Sequence, residues 1–130
     1  MAREAGGIVV GSSGTRCHID IDEDGWYAWR LTANNGRVIA LGVGTYREDT
    51  QCRAAFEALC SDAGKLVGGV QHAAEANGWV WRARDAGGRT RAVSARAYER
   101  HSTCQAAYDR FRMLLGVLAE TGIIPWGDTA

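Results

Sequence analysis

The sequence predicts an α+β fold made of two tandem β3-α(-β) units that share one core about a pseudo-twofold axis. Three observations lead to this prediction: a repeat with an offset of 52 residues, short runs of alternating polarity separated by glycine turns, and an amphipathic stripe at helical spacing after each set of runs. At 130 residues, with 46% hydrophobic and 23% charged side chains, the chain suits one compact globular domain.

The repeat is visible when the chain is shifted against itself by 52 residues. Nine of the 31 ungapped pairs between residues 29 and 59 and their partners are identical, where chance would give about two or three. The repeat divides the chain into an N-terminal extension (1–15), a first unit (16–65) and a second unit (66–130). The signature positions are Trp29, Arg30, Gly36, Tyr46 and Cys52, matched by Trp81, Arg82, Gly88, Tyr98 and Cys104.

The first unit predicts three strands and a helix. Turn sequences at Asp24-Gly25 and Asn34-Asn35-Gly36 separate strands expected at Cys17–Asp22, Trp26–Ala33 and Arg37–Leu41. The helix is expected to begin with Asp49 or Thr50 as N-cap and to stop near Gly64. Its apolar stripe consists of Cys52, Ala55, Phe56, Leu59 and Cys60.

The second unit repeats this order. Its strands are expected at Val70–Glu75, Trp79–Arg84 and Arg89–Ala95, and a terminal strand at Ile123–Trp126. The helix of this unit, expected between the strand at Arg89–Ala95 and the terminal strand, should open with a capping box at Ser102-Thr103-Cys104-Gln105. A unit of about 50 residues buries too little surface to be stable alone, so we expect both units to form one core.

The run from Trp29 to Ala40, followed by Tyr46, Thr50, Cys52 and Ala54-Ala55, resembles the YegP-like family of small bacterial and archaeal proteins of unknown function. The resemblance extends over about residues 16–120 and is weaker in the second unit, where Ala83–Gly88 replaces the Asn-Gly stretch. It implies a tandem β3-α-β fold in which the two units exchange their last strands. It implies no catalytic residue.

Several motifs invite a chemical interpretation, and a structural one accounts for each more simply. Asp20–Gly25 matches the start of a calcium loop, but Leu31 stands where the bidentate carboxylate is required, which favours a solvated hairpin. His18, His72 and His101 lack zinc-ligand spacing. Cys52 and Cys104 lie in first helical turns, where a thiol can become reactive, but they also belong to the apolar stripes. We therefore predict no catalytic residue, metal or cofactor.

The strongest functional signal is a cluster of arginines in the second unit. Residues 82–100 contain six arginines and two acidic residues. Strand alternation would place four of them on one face of a hairpin as an arginine ribbon, which we define as Arg82, Arg84, Arg89 and Arg91. Guanidinium groups bind phosphate well, and nearby tryptophans could stack on bases. A solvated outer face is the alternative explanation. For Trp29 and Trp81, we expect core packing, with an exposed aromatic platform as the alternative.

Function itself is not specified by these residues. Fifteen basic and fifteen acidic side chains cancel, and no apolar run is long enough to span a membrane. We expect a cytoplasmic, non-enzymatic binding module whose partner is a protein or an anionic ligand. The alternatives are a nucleic-acid or anion binder that uses the arginine ribbon and, less favoured, a small enzyme. The expected state is a monomer with an internal pseudo-dimer, and the alternative is a homodimer.

Overall fold

The computed structural model describes residues 14–127, so most of the N-terminal extension lies outside the described part of the chain. It confirms the predicted α+β class. The strands are β1 (Arg16–Ile21), β2 (Tyr27–Thr32), β3 (Val38–Gly42), β4 (Val67–Ala73), β5 (Gly78–Arg84) and β6 (Thr90–Ser94). The helices are α1 (Asp49–Ser61), between β3 and β4, and α2 (His101–Thr121), after β6; short 3-10 turns lie at Ala63–Lys65 and Ala74–Ala76.

All six strands form one antiparallel sheet in the order β1-β2-β3-β6-β5-β4. The central pair joins β3 to β6, where Leu41 lies opposite Val93. Buried and more exposed residues alternate around Trp29–Leu31 of β2 and Trp81–Ala83 of β5, as expected for a sheet with one covered face. Helices α1 and α2 cover the same face and contact each other.

The core is built on two tryptophans, each packed on one helix. Trp29 meets Phe56 of α1 edge to face with ring centroids 4.9 Å apart, and Trp81 stacks on Phe111 of α2 at 4.7 Å. Both indoles are buried, whereas Trp26 is 38% exposed. Core packing is therefore the role of Trp29 and Trp81, because burial of a large aromatic side chain contributes much of the stability of a small domain.

The predicted helix ends were wrong by one to three residues. Helix α1 has Glu48 at its N-cap, and α2 has Arg100 there; neither side chain caps its helix. The carbonyls of these two residues already accept the first helical hydrogen bonds, from Cys52 and Cys104. Ser102 therefore lies inside α2, and the expected capping box does not form. Helix α1 ends at Ser61 because Asp62 leaves the helix into a 3-10 turn.

Two hairpins share an irregularity that redirects side chains. Gly36 and Gly88 both adopt positive φ angles, 84° and 85°, which glycine tolerates without strain. The pairing register shifts between Leu31 and Thr32 in the first hairpin and between Ala83 and Arg84 in the second. Such a bulge places one extra residue on one strand and changes where its side chain points.

The segment expected as a terminal strand is reduced to one bridge. Trp126 pairs with Cys17 of β1 in parallel orientation. The Cys17 N–H donates to the carbonyl of Pro125 at 3.0 Å, and the Gly127 N–H donates to the carbonyl of Cys17 at 2.9 Å. Pro125 cannot donate to a ladder, which helps to limit the pairing to this point.

Candidate functional site

The structure divides the arginine ribbon between different surroundings. Arg82 and Arg84 alternate on β5 with Trp81 and Ala83, whose side chains are buried beneath the helices. They therefore lie on the opposite face of the sheet, which neither α1 nor α2 covers. No ion pair to either guanidinium forms among residues 14–127.

Arg91 lies out of phase with these two arginines. In the register Ala83–Ala92 and Arg84–Thr90, Arg91 is the extra residue of the bulge. Its Nη1 lies 3.4 Å from carboxylate oxygens of both Asp62 and Asp85, and its side chain is only 19% exposed. The four arginines consequently do not line one face, and the bulge is the reason that simple alternation misplaced Arg91.

A first groove lies between α1 and the start of β6. It has a volume of about 290 Å³ and includes Arg89 and Arg91 together with Tyr46, Ala55 and Leu59. Its charge is partly neutralised from its rim, because Asp85 and Asp62 face the Arg91 guanidinium. The backbone N–H groups of Arg89 and Gly87 donate to Asp85, and chiefly the first of these holds the pKa of that carboxyl below its usual range.

A second groove, on the α2 side, has about twice that volume, about 600 Å³. Three guanidinium side chains line it: Arg37 directly before β3, Arg96 after β6, and Arg110 on α2. No carboxylate lines this groove, and no ion pair to these three arginines forms within residues 14–127. The remaining polar lining comes from Asn35, Tyr98 and Thr103.

The lining of the second groove is held by backbone contacts. Tyr98 exchanges two backbone hydrogen bonds with Trp79, at 2.7 and 2.8 Å, which fix its place beside the sheet. The Arg96 guanidinium lies over the Tyr98 ring, 4.9 Å from its centroid, a favourable cation–π distance. In the turn before β3, Asn35 Oδ1 accepts the backbone N–H of Arg37 at 2.9 Å.

An apolar cavity of about 220 Å³ adjoins the second groove. The two share Ala33, Ile39, Tyr98 and Arg110, and the apolar cavity extends to further residues of α2: Ala107, Phe111 and Leu114. The combined site offers cationic donors at one end and an apolar floor at the other. It can hold an anion, and it contains no paired acid and base for proton transfer.

Sequence reasoning missed this groove because its three arginines are far apart in the chain. The sequence does contain a signal for Arg37, because the 52-residue shift matches it to Arg89 of the arginine ribbon. Arg96 and Arg110 carry no local signal: one lies in the loop before α2 and the other on an exposed helix turn. Only the packing of α2 beside β3 brings them together.

The cysteines have structural roles. Cys17, Cys52, Cys60 and Cys104 are all buried free thiols. Burial raises the pKa of Cys52 to about 11 and that of Cys60 to about 12, and it also raises the pKa of Cys17 and Cys104. The helix position of Cys52 and Cys104 therefore does not yield a thiolate near neutral pH.

The acidic run at Asp20–Gly25 builds a hairpin. Asp20 makes a two-bond ion pair with Arg30, at 2.8 and 3.1 Å, and this hydrogen bonding lowers the pKa of the Asp20 carboxyl. Asp22 Oδ1 accepts the backbone N–H groups of Asp24 and Trp26, both at 2.9 Å. These carboxylates are thus engaged in local structure, as the hairpin interpretation predicts.

The three histidines contact neighbouring side chains of the fold. His18 Nε2 lies 3.0 Å from Thr32 Oγ1. His72 and His101 flank the Trp79 ring edge to face, at centroid distances of 5.2 and 4.9 Å. Residues 14–127 contain no cluster of three side chains suited to bind a metal ion. No helix in that same range is long and apolar enough to cross a membrane.

Comparison with known proteins identifies the fold. No protein-family model matches the chain, and no curated protein does. Two solution NMR structures are similar: UPF0339 protein SO3888 from Shewanella oneidensis, with TM-score 0.62, 12% identity, and 77% of this chain and 83% of that chain covered, and yegP from E. coli, a protein of unknown function, with TM-score 0.60, 12% identity, and 79% and 87% covered. The YegP-like resemblance is therefore confirmed as a resemblance in fold.

Proposed function

We propose that this chain is a non-enzymatic binding module that holds an anionic ligand in the second groove. The observation that supports the proposal is the grouping of Arg37, Arg96 and Arg110 around one cavity to which the described part of the chain contributes no carboxylate. Guanidinium groups bind carboxylate and phosphate through paired hydrogen bonds, and partial removal from water strengthens these bonds. All three arginines are exposed, so an anion can reach them without displacing a carboxylate of residues 14–127.

The first groove provides an internal comparison. Its Arg91 already has two carboxylate partners, so an incoming anion would have to displace Asp62 and Asp85. The second groove offers three cations that form no ion pair with a carboxylate of residues 14–127. We therefore assign ligand binding to the second groove and regard the first groove as internally neutralised.

The test is a titration with inorganic phosphate at low salt, followed by backbone amide NMR shifts at Asn35, Arg37 and Thr103. Arg96→Gln/Arg110→Gln should weaken phosphate binding by about tenfold or more, since two charge-assisted contacts are lost. The matched control, Arg82→Gln/Arg84→Gln, removes the same charge from the uncovered sheet face and should leave binding within about twofold. Absence of phosphate binding to the parent protein would overturn the proposal.

The ribbon arginines define the second candidate function, a nucleic-acid binder. Arg82 and Arg84 are free of carboxylate partners within residues 14–127, which favours an exposed phosphate-binding surface. In that case, the parent protein would bind single-stranded RNA with an affinity that falls steeply as the salt concentration rises. The Arg82→Gln/Arg84→Gln protein would bind the same RNA more weakly. Because Arg91 is separated from this surface, the surface carries less positive charge than the sequence predicts. We therefore rank this function second.

We also propose that residues 16–65 and 66–130 are two units of one domain, related by a pseudo-twofold axis at the central strand pair. Support comes from the register, because Leu41 faces Val93, the residue 52 positions later. The bridges Tyr27–Tyr46 and Trp79–Tyr98 are related by the same offset, as are the two bulges. A single cooperative unfolding transition is expected; two separate transitions would contradict a shared core.

We also propose that the two units exchange their last strands and that the protein is cytoplasmic. The bridge between Trp126 and Cys17 supports exchange of the last segment of the second unit, since it joins that segment to the first unit. Four buried cysteines present as free thiols are typical of a reducing compartment, which supports a cytoplasmic location.

A further inference from the structure

We propose, on the basis of the proposed function, that the ligand of the second groove is a small organic anion with an apolar ring or short chain. Its oxyanion end would lie among Arg37, Arg96 and Arg110, and its apolar end would enter the adjoining cavity beside Leu114. The juxtaposition of these two cavities along α2 is the basis of the inference.

The apolar cavity has the size of a small hydrocarbon group. Its volume is about 220 Å³, and apolar protein cavities of about 150 Å³ are known to bind benzene. Phe111 and Leu114 form its floor on α2, and Ile39 of β3 forms the opposite wall. An apolar group placed there would remove these side chains and itself from water, which favours binding.

The spacing of residues along α2 gives the site a direction. Thr103, Ala107, Arg110 and Leu114 lie at i, i+4, i+7 and i+11, so they follow one face of the helix. Thr103 lines only the polar groove, Leu114 lines only the apolar cavity, and Arg110 lines both. An amphipathic ligand would therefore lie along the helix, its anionic end toward Thr103.

The corresponding place in the first unit lacks this combination. The residue 52 positions before Leu114 is Asp62, whose carboxylate binds Arg91. Asp62 thus binds Arg91 beside the first groove, whereas Leu114 gives an apolar wall to the cavity that adjoins the second groove. This difference favours an apolar ligand body at the second groove only, rather than a general property of both halves.

A nucleic-acid backbone fits the combined site less well than a small organic anion does. Phosphates of a polymer would occupy the arginine-lined groove and leave the apolar cavity filled with water. A ligand that carries its own apolar group uses both cavities. We therefore favour a monocarboxylate or phosphate monoester with about six to eight carbon atoms, a size set by comparison with benzene.

The experiment compares three probes: phenyl phosphate, phenylacetate and inorganic phosphate. Phenyl phosphate should bind about 10- to 100-fold more tightly than inorganic phosphate, because burial of its ring adds apolar contact area. Side-chain methyl signals of Ile39 and Leu114 should shift with phenyl phosphate or phenylacetate and remain in place with inorganic phosphate. Comparison of the affinities for phenylacetate and phenyl phosphate shows whether the site prefers a carboxylate or a phosphate as the anionic group.

Leu114→Gln tests the apolar end separately from the cationic end. It should reduce the preference for phenyl phosphate to less than about threefold while leaving inorganic phosphate affinity unchanged. Met113→Gln, on an exposed neighbouring position outside both cavities, is the matched control. Equal affinity of the parent for phenyl phosphate and inorganic phosphate would overturn this inference but leave the proposed function intact. Binding of none of the three probes would overturn both, and the methyl shifts decide the inference even if Leu114→Gln does not fold.

Discussion

The hydroxyl of Tyr108 on α2 occupies the space that a side chain at Gly68 of β4 would need. This hydroxyl is buried and has no hydrogen-bond partner among residues 14–127, and burial raises its pKa. The close approach of α2 to β4 thus depends on glycine, and the tyrosine contributes an oxygen that the core does not use. Phe56 stands 52 residues before Tyr108 and fills the corresponding stripe position of α1 without a hydroxyl.

Tyr108→Phe should stabilise the protein. Removal of an unsatisfied buried hydroxyl avoids its desolvation cost, so the free energy of unfolding should rise by about 1 kcal/mol. Urea denaturation of both proteins measures this change. Destabilisation by the substitution would mean that the hydroxyl has a partner in solution.

Gly68→Ala should destabilise the protein by about 1–3 kcal/mol, because the new methyl group overlaps the Tyr108 hydroxyl and forces either α2 or β4 to shift. Gly69→Ala is the matched control: it changes the next residue of the same strand, where an added Cβ meets nothing within 4 Å. The control should change the free energy of unfolding by less than about 0.5 kcal/mol. Tyr108→Phe combined with Gly68→Ala should recover part of the loss, and equal effects of the two alanines would contradict the packing described.

Stability should fall in alkaline solution because of the buried thiols. Each folded-state thiol pKa is raised by burial, to about 11 for Cys52 and about 12 for Cys60. Unfolded thiols lose their protons near pH 8.5, whereas the folded thiols keep theirs. The contribution is therefore complete below about pH 8.5 and is lost as the pH rises through the folded pKa, by about 1.4 kcal/mol per thiol per pH unit.

Chemical denaturation at several pH values between 7 and 10.5 measures this slope. Cys104→Ala should reduce the slope by about the contribution of one thiol, since Cys104 is fully buried in α2. A slope unchanged by this substitution would show that other groups, such as tyrosines, determine the alkaline loss.

The fold was largely predictable because the sequence repeats its own pattern. Alternation at Cys17–Asp22 and the stripe containing Cys52 and Phe56 identified a strand and a helix within a few residues. The predicted helix ends were less accurate. Each helix begins where a backbone carbonyl, that of Glu48 or Arg100, accepts the first helical hydrogen bond, and no side-chain cap marks that position. Local propensity does not reveal which carbonyl accepts the first helical bond.

The candidate site was less predictable because it depends on long-range packing. Alternation alone placed Arg91 with Arg82, but the bulge beside Arg84 breaks that alternation. Strand alternation does not concern Arg110, which lies on α2 and becomes part of a groove only when α2 packs beside Ile39. Bulges and helix docking are properties of the assembled sheet, and single-strand periodicity does not contain them.

The C-terminal bridge to Cys17 makes the two edges of the sheet unequal. Beside β1, Pro125 and Gly127 occupy the outward-facing N–H and carbonyl of Cys17, whereas β4 ends the sheet on the other side among the described residues. Strand addition is therefore obstructed at the Cys17 end of β1, and a contact between the β4 edges of two molecules avoids this obstruction. Such a contact is isologous and closes after one step as a twofold dimer, whereas a growing fibre requires two complementary free edges. Such a contact, unlike strand addition at the Cys17 end of β1, does not have to displace the segment at Trp126.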